Sequence, residues 1–208
     1  EITDVDTAID EAQDAIRSWM NYYSKNRWEN QYYYPEVFIE KKALQGVFEA
    51  PCSRRFVALN PCKGYPSLTF LYDAANRFKK AEEAGKIPII LYFGDYDPSG
   101  EDIPRSIKQN LTDKFDIDVE VKRIALMEHQ VVQWKLPPAP TKDSDTRSNQ
   151  WDGLGQVELD AVDPKQIERL LIDAIEDVFD TEKYDELLEL EKIESDEYRY
   201  KLKSIFNQ

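Results

Sequence analysis

The run Ile87-Pro88-Ile89-Ile90-Leu91-Tyr92-Phe93 is the feature that most constrains how this chain can fold. It carries no charge and no apolar–polar alternation, so both of its faces have to be buried. That pattern belongs to an inner strand of a parallel sheet covered by helices on both sides. A helical pattern precedes it, Leu68 to about Ala84, with Ser67 as its cap and Gly85 just past its end. The turn Gly94-Asp95-Tyr96-Asp97-Pro98-Ser99-Gly100 follows it. A second helical pattern then runs from Ile103 to about Phe115, with Pro104 expected in its first turn. Further strands are expected at Glu36–Glu40, Phe56–Leu59 and Val119–Leu126, and Ala43, Leu44, Val47 and Phe48 stand at helical spacing. This alternation predicts an α/β fold, a parallel sheet of about four strands flanked by helices.

The flanks read differently. Val5, Ile9, Ala12, Ile16 and Met20 predict an amphipathic helix from Ile2 to about Tyr23, and Arg27 to Pro35 reads as an irregular aromatic linker. Leu136-Pro137-Pro138-Ala139-Pro140 excludes helix interior and central strand. Thr141 to Gly155 is polar enough for a loop, and Gln156 to Val162 is expected as an edge strand. Asp163-Pro164 opens a helix running to about Phe179, and another extends from Lys183 to about Phe206. The expected division is residues 1–35 as N-terminal helix and linker and residues 36–135 as the α/β domain. Residues 136–208 supply a loop, an edge strand and C-terminal helices packed on that same domain. The last, acidic helix reads as a solvated packing helix, with a coiled-coil partner as the alternative.

Some function classes drop out on composition. No apolar run approaches the roughly 20 residues needed to span a bilayer, and the acidic N-terminus does not resemble a signal peptide. A cytoplasmic location is expected, associated with the nucleoid in a prokaryote. The chain opens on Glu1 rather than Met, as a processed or excised segment would. Two cysteines, Cys52 and Cys62, make neither a disulfide framework nor a zinc site, and a single histidine, His129, excludes a histidine-rich centre. The net charge of −14 opposes a nucleic-acid partner, but it is unevenly distributed. Acids crowd the stretch after Asp173, whereas Arg54, Arg55, Lys63, Arg77, Lys79 and Lys80 come earlier and together. A basic face on an acidic protein would bind phosphates in a salt-sensitive or metal-assisted way.

The chemistry-bearing segment is the turn itself. Asp95 and Asp97 lie just past the buried strand, at the edge where α/β sheets bind ligands. Two carboxylates so close repel by about 1 to 4 kcal/mol near a surface, and a divalent cation relieves that repulsion. Mg²⁺ needs only one or two carboxylates, the rest being water and substrate phosphate. Glu40 closes the first strand, and in a parallel sheet it can lie across the same crevice. The structural alternative is an acidic turn with a helix cap at Ser99 or Asp102, and a Glu40 that merely ends a strand.

Glu36-Val37-Phe38-Ile39-Glu40-Lys41-Lys42-Ala43-Leu44, with Asp95-Tyr96-Asp97-Pro98-Ser99-Gly100 far downstream, resembles the Toprim domain. The wording is nearest the branch formed by the topoisomerase VI A subunit, its meiotic double-strand-break relatives, and uncharacterised microbial and phage Toprim proteins. The resemblance covers about Glu36 to Leu126. It implies a Toprim-like sheet with Mg²⁺, or Mn²⁺, at Glu40, Asp95 and Asp97, cleaving DNA phosphodiesters. In that setting Glu40 would be a ligand or a general acid–base group, and the metal would offset transition-state charge. Relatives in that branch cut with a tyrosine on an upstream winged-helix domain. Only some 35 residues precede the first motif strand here, and none of the 12 tyrosines stands in a nucleophilic context. The expectation is therefore a nuclease using water, or the Toprim half of a larger enzyme completed by an upstream domain or a separate partner protein. A homodimer is compatible with either. The alternative is a non-catalytic scaffold that binds DNA or a partner chain.

Candidate nucleic-acid contacts are Lys41, Arg54, Arg55 and Lys63, together with Lys142 and Arg147 in the polar loop. That loop also holds Asp145, and Glu158 and Asp160 follow it; such mixed charge is most often a solvated face. His129 reads as structural. A small-molecule phosphotransferase is the weakest reading, because no Gly-rich phosphate loop is present.

Overall fold

The computed structural model describes residues 4–19, 22–138 and 155–206. The polar loop with Lys142, Asp145 and Arg147 lies outside the described residues. Two compact units are formed, one from Gln31–Asp180 and one from Glu1–Asn30 together with Thr181–Gln208.

In the larger unit a four-stranded, all-parallel sheet has the order β2-β1-β3-β4. The strands are β1 (Tyr33–Ile39), β2 (Ala58–Pro61), β3 (Ile87–Phe93) and β4 (Glu120–Ala125). The continuous apolar run forms β3, as expected. Ile89 to Phe93 are 0–1% exposed, so the strand is covered on both faces. Its alternate side chains serve two cores. Phe38, Ile90 and Tyr92 pack with Leu71, Phe78, Ile103 and Ile107 under α3 (Leu68–Glu83) and α4 (Pro98–Phe115). On the other face Phe93 meets Phe48 of α2 (Gln45–Arg54) edge-on, with ring centroids 4.9 Å apart. The sheet is thus enclosed by helices, as an α/β fold requires.

Several boundaries differ from expectation for identifiable reasons. β1 starts at Tyr33, inside the stretch read as irregular linker. Pro35 is tolerated there because β2 joins only from Glu36, so one edge of β1 is still open at Pro35. Pro88 sits likewise just before β4 joins β3 at Ile89. β2 begins at Ala58 rather than Phe56, because α2 persists to Arg54. Cys52 O then accepts from both Arg55 N–H and Val57 N–H, leaving Phe56 left-handed at φ 55°. Ser67 caps α3 through Phe70 N–H, and Gly85 takes φ 75° past its end. α4 begins at Pro98, five residues before the expected start, so Pro104 is interior rather than first-turn.

A short helix not anticipated from sequence, α5 (Glu128–Trp134), carries His129 exposed on its surface. The expected edge strand at 156–162 is instead a short bridged stretch at Gln156 and Val157, with Val157 antiparallel to Tyr96, followed by a 3-10 turn at Leu159–Ala161. Asp163 caps α6 (Pro164–Glu176) through Lys165 N–H.

The smaller unit holds α1 (Val5–Trp19) and α7 (Thr181–Phe206). Within it Lys25 N–H donates to Glu191 at 2.6 Å, and Lys25 Nζ pairs with Glu194 at 2.9 Å. Among the described residues, no helix is long and apolar enough to cross a membrane.

Candidate functional site

β1 and β3 are neighbours in register, Ile39 beside Phe93, so the chain leaves both strands at the same edge. Glu40 N–H donates to Phe93 O at 2.9 Å, which continues the ladder one residue past β1. The Glu40 side chain then turns to the Asp95 turn. Its Oε2 accepts from Asp95 N–H at 3.0 Å and from Tyr92 Oη–H at 3.2 Å. The two motifs, 55 residues apart in the chain, are therefore in direct contact.

Two glycines permit this approach. A Cβ on Gly94 would lie 2.6 Å from Glu40 Oε2 and from the Tyr92 hydroxyl. A Cβ on Gly100 would lie 2.1 Å from the Asp95 carbonyl oxygen. Neither glycine has positive φ, so close approach rather than backbone freedom selects it.

The two aspartates are also held by the backbone. Asp97 is the N-cap of α4, its Oδ1 accepting from Gly100 N–H at 2.6 Å. The capping residue is thus Asp97, not Ser99 or Asp102, and the helix starts on the motif itself. Asp95 is 8% exposed, and its Oδ1 accepts from Leu159 N–H at 2.7 Å. Asp95 Oδ2 faces Lys41 Nζ at 3.5 Å. Lys41 Nζ also reaches Glu158 at 3.0 Å and Asp160 at 3.4 Å. Glu158 and Asp160, which the sequence grouped with the polar loop, are thereby brought to the acid cluster.

Burial dominates the electrostatics. It raises the Glu40 carboxyl above its ordinary value, with the charges of Asp95 and Asp97 adding and the Asp95 N–H opposing. Burial also raises Asp95, against the Leu159 N–H and Lys41. Lys41 is lowered by burial, but its bond to Glu158 and the surrounding carboxylates outweigh that and hold it above its usual value. Buried acids raised by desolvation and by each other are common at functional sites.

Arg123, on β4, was not anticipated from sequence. Its Nη2 donates to Asp95 O at 2.7 Å and to Leu126 O at 2.6 Å, tying the turn to the end of β4. Burial holds its guanidinium below the usual value, and its Nε is buried without a hydrogen-bond partner. No motif marks Arg123, because a charged residue in a half-exposed strand is ordinary. Lys63 is exposed two residues past β2, at the same edge as Glu40. Arg54 and Arg55 are not brought there. α2 returns the chain to the amino end of the sheet, where Arg55 pairs with Glu176 at 3.0 Å.

Among the described residues no group of three or more His, Cys, Asp or Glu could hold a metal ion. The donor chemistry still fits Mg²⁺ bound by one or two carboxylates with water and phosphate. All the donors are hard oxygens; Glu40 Oε1 and Asp97 Oδ2 have no hydrogen bond among the described residues, and Asp95 Oδ2 has only the 3.5 Å contact with Lys41. Two of the three acids are also raised by burial, a cost that a cation would offset. Cys52 and Cys62 are free, buried, and pushed up to about 12 by burial, which suits neither metal nor redox work. No family model, curated protein or solved structure matches the chain.

Proposed function

We propose that this chain is a Toprim-like module that uses Mg²⁺ at Glu40, Asp95 and Asp97 to act on DNA phosphodiesters. The observation that carries the reading is the hydrogen bond from Asp95 N–H to Glu40 Oε2, which joins the two resembling motifs at one sheet edge. When bound, the metal would offset charge developing on a phosphate oxygen. Asp95 would offer Oδ2, because Leu159 N–H holds its Oδ1. Asp97 would offer Oδ2, because its Oδ1 caps α4. Glu40 would hold or pass a proton at Oε1, since Oε2 is fixed by Asp95 N–H and Tyr92. Its raised carboxyl suits proton transfer better than an ordinary glutamate does. Arg123 would keep the turn in place.

A supercoiled plasmid incubated with Mg²⁺ or Mn²⁺, against EDTA, tests the proposal. Metal-dependent nicking that disappears in Asp97→Ala and Asp95→Ala is expected, with circular dichroism of the variants unchanged. Nicking that survives both substitutions refutes the assignment. A second reading, a non-catalytic scaffold, is favoured by the way Lys41 and Leu159 already satisfy Asp95. That reading predicts DNA binding without nicking.

A further inference from the structure

Asp95 has one oxygen hydrogen-bonded and one in a loose ion pair. Leu159 N–H, at 2.7 Å, fixes Oδ1 and with it the rotation of the carboxylate. Oδ2 is the oxygen a cation would need, and it is the one that the Lys41 ammonium faces. The Lys41 contact to Asp95 is loose, at 3.5 Å, beside the 3.0 Å contact to Glu158. Asp160 lies at 3.4 Å from the same nitrogen. Lys41 can therefore give up Asp95 without being left as an unpaired, half-buried charge, which would be costly. Glu158 and Asp160 flank Leu159, and this segment is pinned to the turn by the Val157–Tyr96 bridge, with N···O distances of 2.8 and 2.9 Å.

We propose that Lys41 is a built-in occupant of the cation position, displaced when a divalent ion takes Asp95 Oδ2 and held afterwards by Glu158 and Asp160. The inference rests on the reading of Glu40, Asp95 and Asp97 as a divalent-ion site, and it adds how that site is regulated. Without metal, Lys41 neutralises Asp95. With metal, the lysine is retained beside the site by the two carboxylates of the 157–161 segment. Divalent affinity is then set by a competition within the protein, and Glu158 tunes it through Lys41.

The test is calorimetric titration of the full chain with MnCl₂ and with MgCl₂ alone, with no nucleic acid. Wild type, Lys41→Met, Glu158→Gln, the double variant and Asp95→Asn are compared, and thermal melts confirm that each is folded. Lys41→Met should bind at least about ten-fold more tightly than wild type, because a like charge about 4 Å from a divalent ion is removed. Glu158→Gln should weaken binding in the wild-type background but not in the Lys41→Met background, because its effect passes through the lysine. A general field of surface charge would instead make the two substitutions additive, and additivity overturns the proposal. Unchanged or weaker binding in Lys41→Met also overturns it, while wild-type binding that is lost in Asp95→Asn would leave the metal-site reading standing. Absence of binding in both wild type and Lys41→Met sinks the metal-site reading and the competition together.

Discussion

Gly100→Ala sets two effects against each other, and their magnitudes decide the sign. Gly100 is the third residue of α4. In an ordinary helix, replacing Gly by Ala stabilises by about 1 kcal/mol. Here the new Cβ would sit 2.1 Å from Asp95 O, with Asp95 C at 3.0 Å and Asp95 N at 3.3 Å. A normal carbon-to-oxygen approach is about 3.3 Å, so the turn must open by roughly 1 Å. The obstructing atoms are backbone, and the same carbonyl is held by Arg123 Nη2 at 2.7 Å. Overpacking against rigid neighbours costs about 1–3 kcal/mol, and a lost charge-assisted hydrogen bond adds about 1.5–3 kcal/mol. The clash therefore wins, with a net loss of about 1.5–5 kcal/mol after the helical gain is subtracted. Urea unfolding followed by circular dichroism measures it. Gly94→Ala serves as the comparison, because its Cβ meets side-chain atoms of Glu40 and Tyr92 rather than backbone. Gly94→Ala should cost less stability than Gly100→Ala while still pushing Glu40 off Asp95 N–H. A Gly100→Ala variant as stable as wild type, or more so, would refute the close-packing argument for the motif glycine.

Two further outcomes are expected. Glu36 is fully buried on β1, and Arg77 grips both its oxygens, at 2.6 and 2.8 Å, with Asn60 Nδ2 at 2.9 Å. Arg77→Met, which strands that carboxylate, should cost about 3 kcal/mol, whereas Glu36→Leu combined with Arg77→Met should recover most of it; equal losses in single and double variants would contradict this. Glu40 has a raised carboxyl in the fold, so its contribution to stability is full below the ordinary value of 4.5 and is lost as pH rises through the raised value. Glu40→Gln keeps an acceptor for Asp95 N–H and Tyr92 and carries no charge. Its melting temperature relative to wild type, in EDTA, should therefore climb between pH 4 and pH 7, and a pH-independent difference would refute the assignment of the raised carboxyl.

The sheet's centre was legible because β3 is buried on both faces and its composition says so directly. Capping chemistry was equally legible at Ser67, Gly85 and Asp163, where one side chain or one backbone angle acts within a few residues. The start of α4 was misplaced because Asp97 is at once a candidate ligand and an N-cap. The strand expected at 156–162 failed because its apolar alternation serves short bridging at Val157 and a 3-10 turn against the Asp95 loop.

By itself, the sequence determined the α/β class, the parallel inner strand and the two acidic motifs. Those follow from periodicity and turn chemistry, which are local properties. Only the tertiary structure decided that Lys41, Glu158, Asp160 and Arg123 gather on those acids, and that Arg54 and Arg55 are carried to the opposite end of the sheet. Those placements depend on strand order and register between segments far apart in the chain, where charge interacts through space and leaves no trace in neighbouring residues.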